Sequence, residues 1–145
     1  MPNSVPRFAV PLLAVLAAAP AAACEGLVVE DAWVREPPPG ADVAAGYVRL
    51  SNRSAAPLTI DAVKSTCCSH VMVHRTVRDG DSARMVHVDR LALAPGETMT
   101  LAPGGAHLML MGFSAPLSAG NSVTFSFACG GHDTEVRFPV RADTP

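Results

Sequence analysis

Short runs of alternating apolar residues, separated by turn sequences, recur along the chain from residue 27 to residue 140. In the run 123–127, Val and Phe alternate with Thr and Ser, as in a strand that buries one face. The separators contain Pro-Gly, Asp-Gly and Gly-Gly, which favour tight turns. The pattern predicts an all-β sandwich or barrel of about nine short strands. The predicted strands cover residues 27–34, 44–50, 58–63, 71–77, 83–88, 98–101, 107–113, 123–127 and 135–140.

Chain length and charge limit the remaining possibilities. The 145 residues, of which 49% are hydrophobic, suffice for one domain with its own core. Eleven Lys and Arg against thirteen Asp and Glu give a formal net charge of −2, and no basic patch points to nucleic acid or an anionic membrane surface. We expect a single domain over residues 24–145, monomeric, without a nucleic-acid partner and without a transmembrane segment.

The first residues have the composition of a targeting segment. Arg7 precedes an apolar run at 8–19 and small residues at 21–23, which is typical of a secretory signal peptide over residues 1–23. The run is too short for a membrane-spanning helix, which needs about 20 apolar residues. We therefore expect the mature protein in the periplasm. The alternative is a lipoprotein signal with Cys24 acylated, although alanine stands where such signals usually carry an aliphatic residue.

Four cysteines, Cys24, Cys67, Cys68 and Cys129, are an even number for an oxidising compartment, so disulfides are expected. Neighbouring Cα atoms lie about 3.8 Å apart, whereas disulfides span about 4.4 to 6.8 Å. Cys67 and Cys68 are therefore expected to bond with Cys24 or Cys129 rather than with each other. The alternative is a redox-active or metal-binding thiolate pair.

Histidine and methionine are concentrated in one part of the chain. Between residues 70 and 111 lie four of the five His and five of the six Met. Thioether sulfur combined with imidazole nitrogen suits Cu(I) far better than Mg, Ca or Mn, which prefer oxygen ligands. His74 is followed after ten residues by Met85, after twenty-one more by His107, and then by Met109. We predict that these four residues bind one Cu(I) ion.

Strand geometry places these side chains on shared faces, because residues two apart in a strand point the same way. If Asp79-Gly80 forms a two-residue type I′ hairpin loop, His74 faces Met85, and Met72 faces His87. The strand of His107 must then pack beside this hairpin. The predicted sets that share a face are His70, Met72 and His74; Met85 and His87; and His107, Met109 and Met111.

The same residue types also have structural interpretations. A methionine that alternates in a strand is most often part of the core, and we expect this for Met99 and Met111. Met72 fits either role. A single histidine is more often at the surface or hydrogen-bonded, which we expect for His70 and His87, with additional metal ligation as the alternative.

Several further motifs accompany these residues: Val73-His74, Asp79-Gly80, Arg84-Met85, Leu93-Ala94-Pro95-Gly96, Pro103-Gly104-Gly105, the run 107–112, Asp31-Ala32-Trp33-Val34-Arg35, the run 47–52 and Phe138-Pro139-Val140. Together with the His and Met spacing, these motifs resemble the periplasmic copper chaperone family called PCuAC, over nearly all of the mature chain. The resemblance implies a cupredoxin-like Greek-key β-sandwich that binds one Cu(I) through His74, Met85, His107 and Met109. It also implies delivery of copper to an acceptor or receipt from a donor protein, such as a cytochrome c oxidase subunit or a Sco-type protein during cytochrome c oxidase assembly.

The chain departs from that family in two ways. Cys67-Cys68 and Cys129 are not part of the family signature, and a His- and Met-rich C-terminal tail is missing, so a second, oxidised copper is not expected.

Two rival functions remain. A blue-copper protein needs Cys, His and Met close together, but no Met follows Cys129 and His132. The other rival is a non-metal β-sandwich adhesion or assembly module. No catalytic motif is present in the sequence, and we do not expect an enzyme.

Overall fold

The computed structural model describes residues 24–142, and within this range every regular element is a β-strand. The all-β prediction is therefore confirmed. The predicted signal peptide, residues 1–23, lies outside the described residues. The strands are β1 (Leu27–Arg35), β2 (Val43–Asn52), β3 (Leu58–Ile60), β4 (Ala62–Ser65), β5 (Cys68–Asp79), β6 (Ser82–Val88), β7 (Leu91–Leu93), β8 (Thr98–Leu101), β9 (His107–Phe113), β10 (Ser122–Cys129) and β11 (His132–Arg141).

The described residues form eleven strands where the sequence predicted about nine. The predicted run 58–63 is divided at Asp61, because residues 58–60 pair with β7 whereas residues 62–65 pair with β10. The short β7, which pairs with β3, was missed. A strand of three residues contains too little alternation to be recognised from its own sequence.

The strands form a β-sandwich. Neighbours pair in the order β4-β10-β11-β1-β2-β9-β5-β6, with β8 also paired to β2 and β3 paired to β7. Strand β1 connects two halves of this order, β4-β10-β11 on one side and β2-β9-β5-β6 on the other. It runs antiparallel to β2 and then pairs in parallel with β11 at Val34 and Arg35. The pairing register shifts between Glu30 and Trp33, where Asp31 has a positive φ of 52°. This irregularity lets one strand serve both halves.

The core is built from side chains that alternate with outward-facing ones. Phe125, Phe127 and Phe138 are fully buried, and the Phe138 ring contacts the other two. In β9, Leu108 and Leu110 are also fully buried, whereas the residues between and beside them are only half-buried. The His and Met residues of β9 therefore occupy the face directed away from the core.

The disulfide pairing differs from the prediction. Cys24 is bonded to Cys129, and Cys67 and Cys68 are free thiols with their Sγ atoms 2.8 Å apart. Strand β4 ends at Ser65, which lies opposite Phe125 in the middle of β10, and the chain then turns through Cys67 into β5, whereas Cys129 is the last residue of β10. Because β4 runs antiparallel to β10, Cys67 and Cys68 follow the end of β4 that is farther from Cys129. The predicted bonds of Cys67 and Cys68 with Cys24 or Cys129 are therefore wrong.

Candidate metal centre

Strand β5 lies between β9 and β6 and brings the sequence-predicted residues onto one face. His74 is opposite His107, Met72 is opposite Met109, and His70 is opposite Met111. On the other side, His74 is opposite His87 and Thr76 is opposite Met85. The predicted face sharing and the packing of β9 beside the hairpin are both confirmed. We call this surface the soft-donor face: His70, Met72 and His74 of β5, Met85 and His87 of β6, and His107, Met109 and Met111 of β9.

The hairpin that carries Met85 has a different turn from the one predicted. Asp79 pairs with Ser82, so the two loop residues are Gly80 and Asp81. Among the two, only Gly80 has a positive φ, of 58°, as a type II′ turn requires. The type I′ loop at Asp79-Gly80 is therefore wrong.

Moving the loop by one residue moves every cross-strand partner by two. The predicted pairs of His74 with Met85 and of Met72 with His87 are thus wrong, and His74 faces His87. A shift of two keeps each side chain on the same face. Met85 therefore remains a diagonal neighbour of His74, at a separation of about 7 to 8 Å that a long side chain can span.

The His74 side chain has an unsatisfied polar atom. Its Nδ1 is buried and has no hydrogen-bond partner. The ring lies between those of His107, at a centroid distance of 6.0 Å, and His87, at 5.9 Å, and is nearly perpendicular to both. A buried nitrogen without a partner is destabilising, because it has lost its hydrogen bonds to water. A metal ion bound at this nitrogen would remove that penalty.

The surroundings of His74 also favour its neutral form. Burial lowers the pKa of His74, and the positive charges that His107 and His87 carry when protonated lower it further. Only the neutral imidazole has a lone pair for a metal ion. The site thus disfavours the proton that would compete with a metal for His74.

The His107 ring is oriented by the turn that precedes it. Its Nδ1 lies 3.2 Å from the carbonyl oxygen of Gly105. A carbonyl can only accept, so Nδ1 donates and, in the neutral ring, Nε2 keeps its lone pair. The same carbonyl accepts a hydrogen bond of 3.4 Å from Thr76 Oγ1. Sequence reasoning identified residues 103–105 as a turn but not its role in presenting His107.

The methionines differ in their accessibility. Met85 is 63% exposed, whereas Met109 and Met72 are half-buried beside each other. Met99 packs against the core, as predicted. Met111 does not belong to the core cluster, which corrects the prediction made for it. Its position alternates with buried Leu110, so its side chain lies on the soft-donor face.

His87 has a competing interaction. Its Nε2 lies 3.1 Å from Asp89 Oδ1, so this ring nitrogen already has a partner. Within residues 24–142, no three side chains among His, Cys, Asp and Glu come close enough together to hold a metal ion. A metal site on the soft-donor face therefore requires thioether ligands, which select soft ions.

A family model described as "Putative lipoprotein LpqE-like" matches residues 27–140. The chain belongs to the LpqE-like family. A similar protein is "Putative lipoprotein Lxx21020" of Leifsonia xyli subsp. xyli (strain CTCB07), which is 33% identical over 125 residues, covering 84% of this chain and 74% of the relative. In the described part of this LpqE-like protein, no helix is long and apolar enough to cross a membrane.

Solved structures share the fold of this LpqE-like chain. The copper-bound PCuAC domain from PmoF2 superposes with a TM-score of 0.69 at 24% identity, covering 83% of this chain and 97% of that domain. The solution structure of CuI-DR1885 from Deinococcus radiodurans gives a TM-score of 0.67 at 29% identity, covering 85% of this chain and 83% of that one. These similarities confirm the predicted cupredoxin-like β-sandwich.

Proposed function

We propose that this LpqE-like protein is a copper chaperone that binds one Cu(I) ion through His74, Met85, His107 and Met109. The observation that carries the proposal is the buried, unpartnered Nδ1 of His74 opposite the oriented ring of His107. Two proteins of the same fold have structures described as copper-bound or CuI forms. Copper is the cargo, and the protein is a carrier without enzymatic activity.

The four ligands suit Cu(I) and its surroundings. His74 and His107 supply two nitrogens from directly opposed positions, and Met109 lies two residues along β9 from His107. Met85 reaches the same face from β6. Thioethers do not titrate near neutral pH and, unlike thiolates, are not lost to disulfides in an oxidising compartment. The set can therefore hold a soft ion where a cysteine site would be oxidised.

Exposure of one ligand provides a route for release. Met85 is largely exposed, whereas His74, His107 and Met109 are half-buried. A donor atom from a partner protein can reach the ion from the side of Met85 and replace that thioether before the other ligands. We propose that the partner is a copper donor or acceptor, such as a cytochrome c oxidase subunit or a Sco-type protein.

We propose a location outside the cytoplasm, in the periplasm. The family and the Leifsonia relative carry lipoprotein names, which supports export. The Cys24–Cys129 disulfide is also typical of an oxidising compartment. The Cys24 sulfur cannot hold both a disulfide and a lipid thioether, so disulfide-bonded and acylated Cys24 are alternative forms.

The disulfide also weighs against the blue-copper alternative. A blue-copper site requires a cysteine thiolate, and Cys129 is bonded to Cys24.

X-ray absorption spectroscopy of the Cu(I)-loaded protein tests the proposed ligand set. We expect two sulfur and two nitrogen scatterers around copper, and a shell without sulfur would contradict the proposal.

A further inference from the structure

The pairing of β5 with β9 continues the set of soft donors past the proposed chaperone site. After His74 and His107, the next opposed pair is Met72 with Met109, and the one after that is His70 with Met111. Successive pairs on one face are separated by two residues, or about 7 Å. The soft-donor face therefore carries three consecutive pairs, of which the proposed function uses the first and half of the second.

These additional side chains have no evident role in stabilising the fold. Val73, Leu108 and Leu110 fill the core from the opposite face of the same strands, and Met72 and Met111 are absent from the core cluster. His70 is exposed, and the described residues give its ring no hydrogen-bond or ion-pair partner. The three residues His70, Met72 and Met111 are thus adjacent, accessible and uncommitted.

We propose that His70, Met72 and Met111 form a second site for a soft monovalent ion, Cu(I), next to the first. One imidazole and two thioethers make a donor set that favours Cu(I) over oxygen-seeking ions. His70 and Met111 are directly opposed, with Cβ atoms about 4.5 to 5.5 Å apart, and Met72 is the neighbour of His70 on the same strand face. One ion can therefore contact all three side chains without a change of backbone.

The two sites would differ in strength. The second site has three donors, and its histidine lacks the fixing hydrogen bond that His107 has with Gly105. An ion in the first site also repels a second ion one pair away. We therefore expect the second equivalent of Cu(I) to bind more weakly. The second site uses none of the four residues of the proposed function, so either site can exist without the other.

The test is an oxygen-free Cu(I) titration with a competing chromogenic chelator, in a background where Cys67→Ser and Cys68→Ser remove the free thiols. We expect one tight and one weaker equivalent. A triple variant, His70→Gln, Met72→Leu and Met111→Leu, should lose only the weaker one. Met99→Leu is the matched control, because Met99 is a methionine of the core, and it should keep both.

The outcomes separate the two proposals. A single tight equivalent in the parent overturns the second site and leaves the proposed function intact, whereas a weaker equivalent that survives in the triple variant shows that it binds elsewhere. A parent that binds no Cu(I) overturns both. A measurement on the Cys67→Ser, Cys68→Ser parent with 13C-labelled methionine methyls does not depend on the folding of the triple variant. Addition of the second equivalent should shift Met72 and Met111 but not Met99, and unchanged Met72 and Met111 signals would overturn the proposal.

Discussion

His74 and His107 lie directly opposite each other on β5 and β9, with ring centroids 6.0 Å apart. The Nδ1 atoms of the two rings differ in their hydrogen bonding. His74 has a buried Nδ1 without a partner, whereas His107 has its Nδ1 bonded to Gly105 and its Nε2 available. The backbone register thus holds two imidazoles in place before any ion binds. This preorganisation favours metal binding, because the two ligands need no rearrangement.

Substitutions of Met85 and His87 distinguish a proposed metal ligand, Met85, from a histidine on the same strand that is not proposed as a ligand, His87. Met85→Leu keeps the volume and removes the thioether, so we expect about a tenfold or greater loss of Cu(I) affinity, on the order of 1.4 kcal/mol. His87→Gln should change affinity by no more than about twofold, because the His87 Nε2 is already paired with Asp89. Chelator competition measures both, and an equal loss in His87→Gln would make His87 a ligand.

The Cys24–Cys129 disulfide should be a major source of stability. It closes a segment with a sequence separation of 105, and the chain-entropy estimate for such a loop is about 4.7 kcal/mol. We expect a Cys24→Ser, Cys129→Ser double variant to lose about 2 to 5 kcal/mol in urea unfolding. Copper affinity measured below the unfolding transition should be retained, because neither sulfur belongs to the soft-donor face. A loss below about 1 kcal/mol would contradict the pairing as a structural element.

Thiol mapping checks the cysteine assignment. Alkylation of the unfolded, unreduced protein should modify Cys67 and Cys68 and leave Cys24 and Cys129 in one cross-linked peptide. Intact mass of protein from its native compartment should show no lipid on Cys24. An acylated Cys24 with a free Cys129 would show instead that the alternative form, the lipoprotein, is the one produced.

Gly112 follows Met111, the last residue of the soft-donor face on β9, and its substitution should lower the free energy of unfolding. Its φ is +66°, and a Cβ there would come within 2.8 Å of Ser69 Oγ. Gly112→Ala should cost about 1 to 2 kcal/mol from the left-handed backbone alone, plus a contribution from the contact with Ser69. Gly120→Ala is the control, since Gly120 has φ +90° and open space around its Cβ position. Urea unfolding measures both, and equal losses would contradict a role of the Ser69 contact.

The sequence predicted the faces of the strands better than their partners. Alternation fixes which side a residue occupies, so His74, Met85, His107 and Met109 were placed on one face correctly. The hairpin register depends on which residue adopts a positive φ, and both Asp79-Gly80 and Gly80-Asp81 are acceptable loops by sequence. The pairing of Asp79 with Ser82 in the structure shows that Gly80-Asp81 is the loop, a choice that the local sequence does not make.

Long-range relationships were the other limit. The bond between Cys24 and Cys129 depends on the order of strands in the sheets, which spacing along the chain does not contain. Met111 was expected in the core because an alternating Met usually is, but the core side of β9 is already filled by Leu108 and Leu110. Met99 met the same expectation because its strand directs it inward.

A Cu(I) titration tests most directly whether the four proposed ligands bind the ion tightly. Mature protein with Cys67→Ser and Cys68→Ser is titrated with Cu(I) against a chromogenic chelator, beside the same chain carrying His74→Gln, Met85→Leu, His107→Gln and Met109→Leu. We predict one tightly bound equivalent in the first protein and its loss in the second. Equal tight binding by both would contradict the assignment of the site to these four residues.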